Sequence, residues 1–153
     1  MTAAQFLIDT SAVARLMRPG AESFGWDQAA AAGLLAVCPV TELEFFSSAR
    51  SAADRERGIA GFRSLFGWVP VHHRAFARAW DVQGELTSKS QHRSAGPVDL
   101  VVAATAELHG LTLLHHDRDF GVIARVARSV VRTWAMMVSC RPKCRFSMAC
   151  WSA

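Results

Sequence analysis

The chain contains 153 residues, of which 51% are hydrophobic, so we expect one compact domain with a sizeable core. Its formal net charge is +4, and 15 of its 17 basic residues are arginines, which suits a polyanionic substrate or an acidic partner. The longest nearly apolar stretch, Ala29 to Val40, is too short to cross a bilayer, and no basic segment of a signal peptide precedes Asp9. These features argue against a membrane or secreted protein, and we expect a cytoplasmic one.

The four cysteines lack the spacing of a disulfide scaffold or of a zinc site. Cys38 lies within an apolar run, and the other three lie near the C-terminus, at Cys140, Cys144 and Cys150. Cys140 and Cys144 could approach one side of a metal, but no C-x-x-C pair and no nearby histidine completes such a site. We therefore expect free thiols in a reducing compartment.

Short apolar runs predict strands, and runs with helical periodicity predict helices. In chain order, strands are predicted at Gln5–Asp9, Leu34–Cys38, Trp68–Val71, Leu111–Leu114 and Val130–Met136. Helices are predicted at Ala12–Arg18, Ala21–Ala32, Thr41–Arg50, Asp54–Phe66, His73–Lys89, Pro97–His109 and Asp117–Arg125. Because parallel strands need crossover connections, this alternation predicts an α/β fold with a central parallel sheet of four to five strands.

Acidic residues follow several of the predicted strands, where parallel sheets form their sites. Asp9 ends the first strand, Glu42 and Glu44 follow the second within a turn, and Asp99 lies in the first turn of the helix before the fourth. The fourth strand leads into the run His115-His116-Asp117-Arg118-Asp119. Carboxylates brought together repel one another unless a hard divalent cation lies between them, so the pattern predicts a magnesium site.

Each acid also has a purely structural explanation. Asp9 and Asp117 could cap helices, Asp99 could be an ordinary first-turn acid, and Thr41-x-x-Glu44 matches a capping box. The functional interpretation depends on the four segments together, because capping alone would rarely place their acids at one edge of one sheet.

The order of these segments resembles the PIN-domain nucleases and, within them, the VapC-type toxins of bacterial toxin–antitoxin pairs. The matching stretches are Phe6-Leu-Ile-Asp9-Thr-Ser-Ala12, Val40-Thr-Glu-Leu-Glu44, Val98-Asp99-Leu-Val-Val-Ala-Ala-Thr-Ala106 and His116-Asp117-Arg-Asp119-Phe120. The resemblance covers residues 6–126 and implies a PIN-like three-layer α/β/α fold. We expect a nuclease domain at residues 1–136 and a C-terminal tail, 137–153, to which we assign no role.

The resemblance implies a magnesium-dependent endoribonuclease toxin that cleaves RNA phosphodiester bonds, with Mn²⁺ as a possible substitute for Mg²⁺. It also implies a cognate VapB-type antitoxin that inhibits the enzyme, and a homodimer. The catalytic acids that it implies are Asp9, Glu44, Asp99 and Asp117. The metal ligands that it implies are Asp9, Asp99, Asp117 and Asp119. Glu42 is the alternative to Glu44, which is preferred because the family places its glutamate three residues after a threonine.

Other residues near the acids have less certain roles. Thr10 and Ser11 could orient Asp9 or a phosphate, and His115 and His116 are expected at the rim of the site. Arginines on nearby segments could hold an RNA backbone: Arg15, Arg18, Arg50, Arg93 and Arg118. Aromatic residues could form the core or line a groove for the antitoxin: Phe45, Phe46, Phe62, Phe66 and Trp68. Apolar faces around Trp26 or Phe45 could support a dimer or be buried in the monomer.

Two other functions remain open from the residues. The first is a catalytically inactive PIN-like module that binds RNA or assembles a complex. The second is a phosphoryl-accepting receiver-like or phosphatase-like domain, since these also carry an aspartate at a strand end. Receiver chemistry needs a lysine after a late strand, and neither Lys89 nor Lys143 is so placed. The phosphatases need an acid two residues after Asp9, where this chain has Ser11.

Overall fold

The computed structural model describes residues 4–18, 26–117, 120–127 and 131–133. Several predictions therefore lie outside the described residues. They concern the helix start at Ala21, the residues Arg118 and Asp119, the three C-terminal cysteines and the tail 137–153.

A single parallel sheet forms the centre of the described chain. Its strands are β1 (Phe6–Ile8), β2 (Leu35–Val37), β3 (Gly67–Trp68), β4 (Thr112–His115) and β5 (Val131–Thr133). They are arranged in the order β3-β2-β1-β4-β5, and every neighbouring pair is parallel. In β1, Leu7 pairs with Ala36 on one side and with Leu113 on the other, so β1 is the central strand. The prediction of a parallel sheet with four to five strands is confirmed.

Helices cover both faces of this sheet and create two separate cores. The helices are α1 (Thr10–Leu16), α2 (Asp27–Ala31), α3 (Pro39–Ser47), α4 (Ala52–Leu65), α5 (Ala75–Ser88), α6 (Pro97–His109) and α7 (Phe120–Ile123), with a 3-10 turn at His92–Ser94. Phe6 and Ile8 pack in a core with residues of α1 to α4, whereas Leu7 packs in a core with residues of α5 to α7. Because side chains alternate along a strand, the sheet separates the two cores, which is the three-layer α/β/α arrangement.

Two capping explanations for the acids are wrong. Helix α3 begins at Pro39 after Cys38, since proline suits the first helical turn, so Thr41 lies inside the helix. The Thr41 side chain is buried, with its hydroxyl 3.5 Å from the Cys38 sulfur, and no capping box forms with Glu44. Helix α7 begins at Phe120, so Asp117 does not occupy its capping position. Asp9, in contrast, does cap α1.

The described helices include none that is both long enough and apolar enough to cross a membrane.

The packing of α5, α6 and α7 contains a nearly buried ion pair. The Arg78 Nε donates to the two Glu107 carboxylate oxygens at 3.0 and 3.2 Å, and the two side chains are only 18% and 15% exposed. Arg78 also reaches Glu85 and the Val126 carbonyl, each at 3.5 Å, so one guanidinium links three segments.

We expect Arg78→Met to lower the free energy of unfolding by about 1.5–3 kcal/mol, because the poorly solvated Glu107 carboxylate loses its charged donor. The matched control is Arg57→Met, since Arg57 is 73% exposed and contacts Asp54 at 3.5 Å. That variant should change stability by less than about 1 kcal/mol. Urea denaturation of both variants measures the difference, and equal losses would contradict the role given to Arg78.

Candidate metal site at the carboxyl edge of the sheet

The carboxyl ends of β1 and β4 meet where the winding of the sheet changes direction. From β1 the chain progresses outward to β2 and β3, and it then crosses to β4 and β5 on the other side of β1. Open α/β sheets bind ligands in the crevice at such a point. Asp9 follows β1 there, and its backbone N–H donates to the Leu114 carbonyl at 3.1 Å. His116 and Asp117 follow β4 at the same edge.

Asp9 is a buried carboxylate held by groups at the start of α1. Its side chain is shielded, with the residue only 5% exposed. The Ala12 backbone N–H donates to Asp9 Oδ1 at 2.9 Å. The Ser11 hydroxyl lies 3.0 Å from Oδ1 and 2.8 Å from Oδ2. Asp9 is therefore both the N-cap of α1 and the acid at the end of the central strand.

The Ser11 hydroxyl also connects Asp9 to the end of β4. Its oxygen accepts the His116 backbone N–H at 2.8 Å while the hydroxyl donates to the Asp9 carboxylate. Thr10 makes a comparable contact, in which its hydroxyl donates to Glu44 Oε2. Each hydroxyl thus donates to an acid. The expected contact of Thr10 and Ser11 with substrate stays a prediction.

Asp99 lies in the first turn of α6, near Asp9. Its Oδ2 accepts the Gly96 backbone N–H at 2.9 Å, which satisfies one donor at the start of the helix. Burial raises the pKa of Asp9 to about 6, the hydrogen bonds from Ala12 and Ser11 oppose this rise, and the Asp99 carboxylate adds to it. Ionisation of Asp9 is therefore less favourable than that of a free carboxyl, and a bound cation would offset both burial and repulsion.

Glu42 and Glu44 point to different neighbours. The Glu42 Oε1 accepts hydrogen bonds from Arg63 Nε at 3.3 Å and Nη2 at 3.2 Å, and the residue is 8% exposed. Glu44 is exposed and bonds to Thr10, the residue directly after Asp9. The geometry therefore supports Glu44 over Glu42 as the acid of α3 that serves this edge.

The two histidines after Leu114 differ in position. His115 is the last residue of β4 and lies on the same side of the sheet as Leu113, so its ring enters the core, 5.0 Å from the ring of Phe120. Burial lowers the pKa of His115, whose Nδ1 lies 2.6 Å from the Asp117 carbonyl and must donate to it. The expectation that His115 lies at the rim is wrong. His116 is partly exposed, and Asp117 is exposed.

The remaining expected residues divide between surface and core. Of the expected rim arginines, Arg15 is partly buried and the other described ones, Arg18, Arg50 and Arg93, are exposed.

Three of the five aromatic residues named from the sequence belong to the core, namely Phe46, Phe62 and Phe66. Phe45 is partly buried against that core, and Trp68 is 50% exposed. Trp26 is 5% exposed and packs on Phe6, which fits burial in the monomer and not a dimer face.

The donor set at this edge fits a hard divalent cation. The candidate ligands are carboxylate oxygens, and a nearby positive charge would offset the burial that raises the pKa of Asp9. Among the residues that the structure describes, no three histidine, cysteine or acidic side chains form a compact metal-binding group.

Comparisons with known proteins identify the family of this fold and site. The family model of the PIN domain matches residues 6–126. Ribonuclease VapC21 of Mycobacterium tuberculosis is 39% identical over 127 residues, which cover 83% of this chain and 91% of the relative. Ribonuclease VapC51 of the same species is 37% identical, covering 81% of this chain and 88% of the relative. The chain therefore belongs to the PIN-domain family and, within it, to the VapC ribonucleases.

Solved structures agree with this fold. A DNA-bound VapBC structure from Salmonella typhimurium has a TM-score of 0.68 at 20% identity, covering 86% of this chain and 99% of that chain. A VapBC2 structure from Rickettsia felis, bound to a promoter DNA fragment, has a TM-score of 0.69 at 16% identity, covering 84% and 98%. At these identities the likeness establishes the three-layer fold.

We expect Asp9→Asn to stabilise the metal-free protein at pH 7.5 by on the order of 2 kcal/mol. The folded pKa of Asp9, about 6, exceeds its ordinary 3.8, so the folded chain binds this proton more tightly and loses stability as the pH rises through both values. Asparagine removes that loss and still accepts the Ala12 N–H. The gain should therefore vanish near pH 4.

Chemical denaturation in EDTA at several pH values measures this dependence. Asp27→Asn is the matched control, because Asp27 lies in the first turn of α2 and is exposed. It should show no gain at pH 7.5. A difference in stability between Asp9→Asn and the original chain that is the same at pH 4 and at pH 7.5 would contradict the charge burial described for Asp9.

Proposed function

We propose that the chain is a magnesium-dependent endoribonuclease toxin that hydrolyses RNA phosphodiester bonds. The observation that carries the proposal is the buried carboxylate of Asp9 close to Asp99, at the point where the sheet changes winding direction. The ribonuclease names of relatives at 37–39% identity support the reaction class. The proposed direct ligands are Asp9 and Asp99, and Mn²⁺, which accepts the same oxygen donors, should replace Mg²⁺.

Hydrogen bonds among the described residues fix the carboxylates that would bind the metal for phosphodiester hydrolysis. A bound divalent cation supplies a water of lowered pKa and positive charge for the phosphate oxygens. Ser11 and the Ala12 N–H hold the Asp9 carboxylate in one orientation, and the Gly96 N–H holds that of Asp99. Such fixed carboxylates need little rearrangement to bind a cation.

Two further acids have supporting roles in this proposal. Thr10, the residue directly after Asp9, donates to Glu44, and Asp117 follows β4 at the same edge, which supports a role for both acids in binding the metal directly or through water. Asp119, the remaining expected ligand, and Arg118, an expected substrate contact, stay predictions.

We also propose that a VapB-type antitoxin binds and inhibits the enzyme. A cavity of about 210 Å³ lies between α3 and α4, and Glu42, Phe46 and Arg63 are among its lining residues. Leu43 also lines it and is 69% exposed, and the guanidinium of Arg55, another lining residue, lies 5.7 Å above the ring of Phe46. A groove lined by both apolar and basic side chains suits a segment that carries both apolar and acidic side chains.

The nuclease proposal is tested by a matched pair of substitutions on α3. In Mg²⁺, we expect Glu44→Gln to reduce cleavage of a structured RNA roughly 10- to 100-fold, as loss of a group that supports a metal ligand usually does. Glu42→Gln should leave cleavage within about threefold, because Glu42 pairs with Arg63 and not with the site. Gel analysis of end-labelled RNA measures both rates.

EDTA and Asp99→Asn should abolish cleavage in the same assay, and Mn²⁺ should restore it after EDTA treatment. Cleavage that survives either treatment would overturn the metal mechanism. RNA binding without cleavage in Mg²⁺ or Mn²⁺ would instead identify the chain as an inactive PIN-like module. A larger loss for Glu42→Gln than for Glu44→Gln would reverse the assignment of the second acid.

A further inference from the structure

His115 is a buried polar side chain that the proposed mechanism does not use. The residue ends β4 and is 3% exposed, and its ring lies 5.0 Å from the ring of Phe120 in α7. A buried polar group costs free energy unless it is hydrogen-bonded, and an aliphatic or phenyl side chain would fill the same space without that cost. Packing alone therefore does not account for a histidine at this position.

One ring nitrogen of His115 holds the backbone two residues further along the chain. Its Nδ1 lies 2.6 Å from the Asp117 carbonyl oxygen, and because a carbonyl can only accept, Nδ1 donates. The strand β4 ends at His115, which pairs with Thr133 of β5. The imidazole bond therefore fixes the backbone of Asp117 directly beyond the point where the sheet pairing of β4 stops.

A second hydrogen bond holds the residue in between. The His116 backbone N–H donates to the Ser11 hydroxyl at 2.8 Å, and that hydroxyl donates to the Asp9 carboxylate. Residues 115–117 are therefore attached one after another to the carboxyl edge of the sheet. Because Asp117 is exposed, this attachment of its backbone matters more than side-chain packing for the position of its carboxylate.

We propose that His115 is a positioning residue of the metal site, which acts by holding Asp117 at the carboxyl edge of the sheet. This inference rests on the proposed function, in which Asp117 helps to bind the metal. A carboxylate on a fixed backbone loses less conformational freedom when a cation binds, so the imidazole bond raises the metal affinity of the site. Removal of a group that orients a metal ligand typically lowers affinity roughly 10- to 100-fold.

Two substitutions separate the hydrogen-bond donor of His115 from its ring. His115→Phe keeps an aromatic ring against Phe120 and removes the donor. His115→Asn removes the ring and keeps an N–H donor, since the amide nitrogen, like Nδ1, is bonded to Cγ. A positioning role predicts that His115→Phe weakens Mn²⁺ binding roughly tenfold and that His115→Asn stays within about threefold. The melting temperature should follow the opposite order, because the phenyl ring preserves the packing.

Electron paramagnetic resonance of free Mn²⁺, recorded while the full chain is titrated, measures the affinity, and thermal denaturation checks that each variant is folded. The matched control is His109→Phe. It removes a bond of the same kind, between His109 Nε2 and the Pro70 carbonyl at 2.9 Å, at the opposite end of α6 from Asp99. It should leave the affinity within about twofold. If His115→Asn does not fold, the comparison of His115→Phe with His109→Phe decides the outcome.

A double variant tests whether His115 acts through the Asp117 carboxylate. Asp117→Asn keeps the backbone carbonyl and removes the charge, so adding His115→Phe should cause at most about a twofold further loss of Mn²⁺ affinity. An undiminished effect of His115→Phe in that background overturns the proposal. An original affinity in the single His115→Phe variant overturns it too, and so does an equal loss in a folded His115→Asn variant. An original chain that binds no Mn²⁺ overturns the proposed function together with this inference.

Discussion

Parallel pairing of β1 with β4 determines the chemistry of the carboxyl edge, because it brings together chain segments that are far apart in sequence. Ser11 and His116 are 105 positions apart, yet one hydrogen bond of 2.8 Å joins them. The pairing of β1 with β4 continues one residue past Ile8, because the Asp9 N–H donates to the Leu114 carbonyl. The backbone of Asp9 is therefore fixed relative to the end of β4. The position of Thr10 relative to the end of β4 follows from this register.

Capping and metal binding are compatible roles for Asp9 and Asp99. Each carboxylate accepts a backbone N–H at the start of a helix, Asp9 from Ala12 and Asp99 from Gly96. Those bonds hold each side chain in one orientation, and a carboxylate oxygen can accept a hydrogen bond and bind a cation at once. The structural explanation of these two acids therefore describes how they are positioned, and leaves the proposed function intact.

The sequence predicts the order of strands and helices, because local apolar patterns locate these elements. It also predicts which acids follow the strand ends, because their positions are read relative to the same apolar runs. The preference for Glu44 over Glu42 rests there on the family's spacing alone, and Thr41 is expected at the start of a helix that in the structure begins two residues earlier, at Pro39. His115 was assigned to the rim because the strand was expected to end at Leu114. Periodicity does not predict that Trp80 of α5 is 76% exposed, since it locates a helix but not the neighbours that cover its faces.

Two of the proposed site acids are carried by helices that pack in different cores. Asp99 belongs to α6, whose residues pack in one core, and Glu44 belongs to α3, whose Phe46 packs in the other. The separation of these acids therefore depends on the packing of both layers against the sheet. A substitution such as Phe62→Leu, deep in one layer, should loosen the packing that positions α3, and Glu44 with it. Temperature-sensitive alleles of this protein should accordingly map to its cores as well as to its acidic residues.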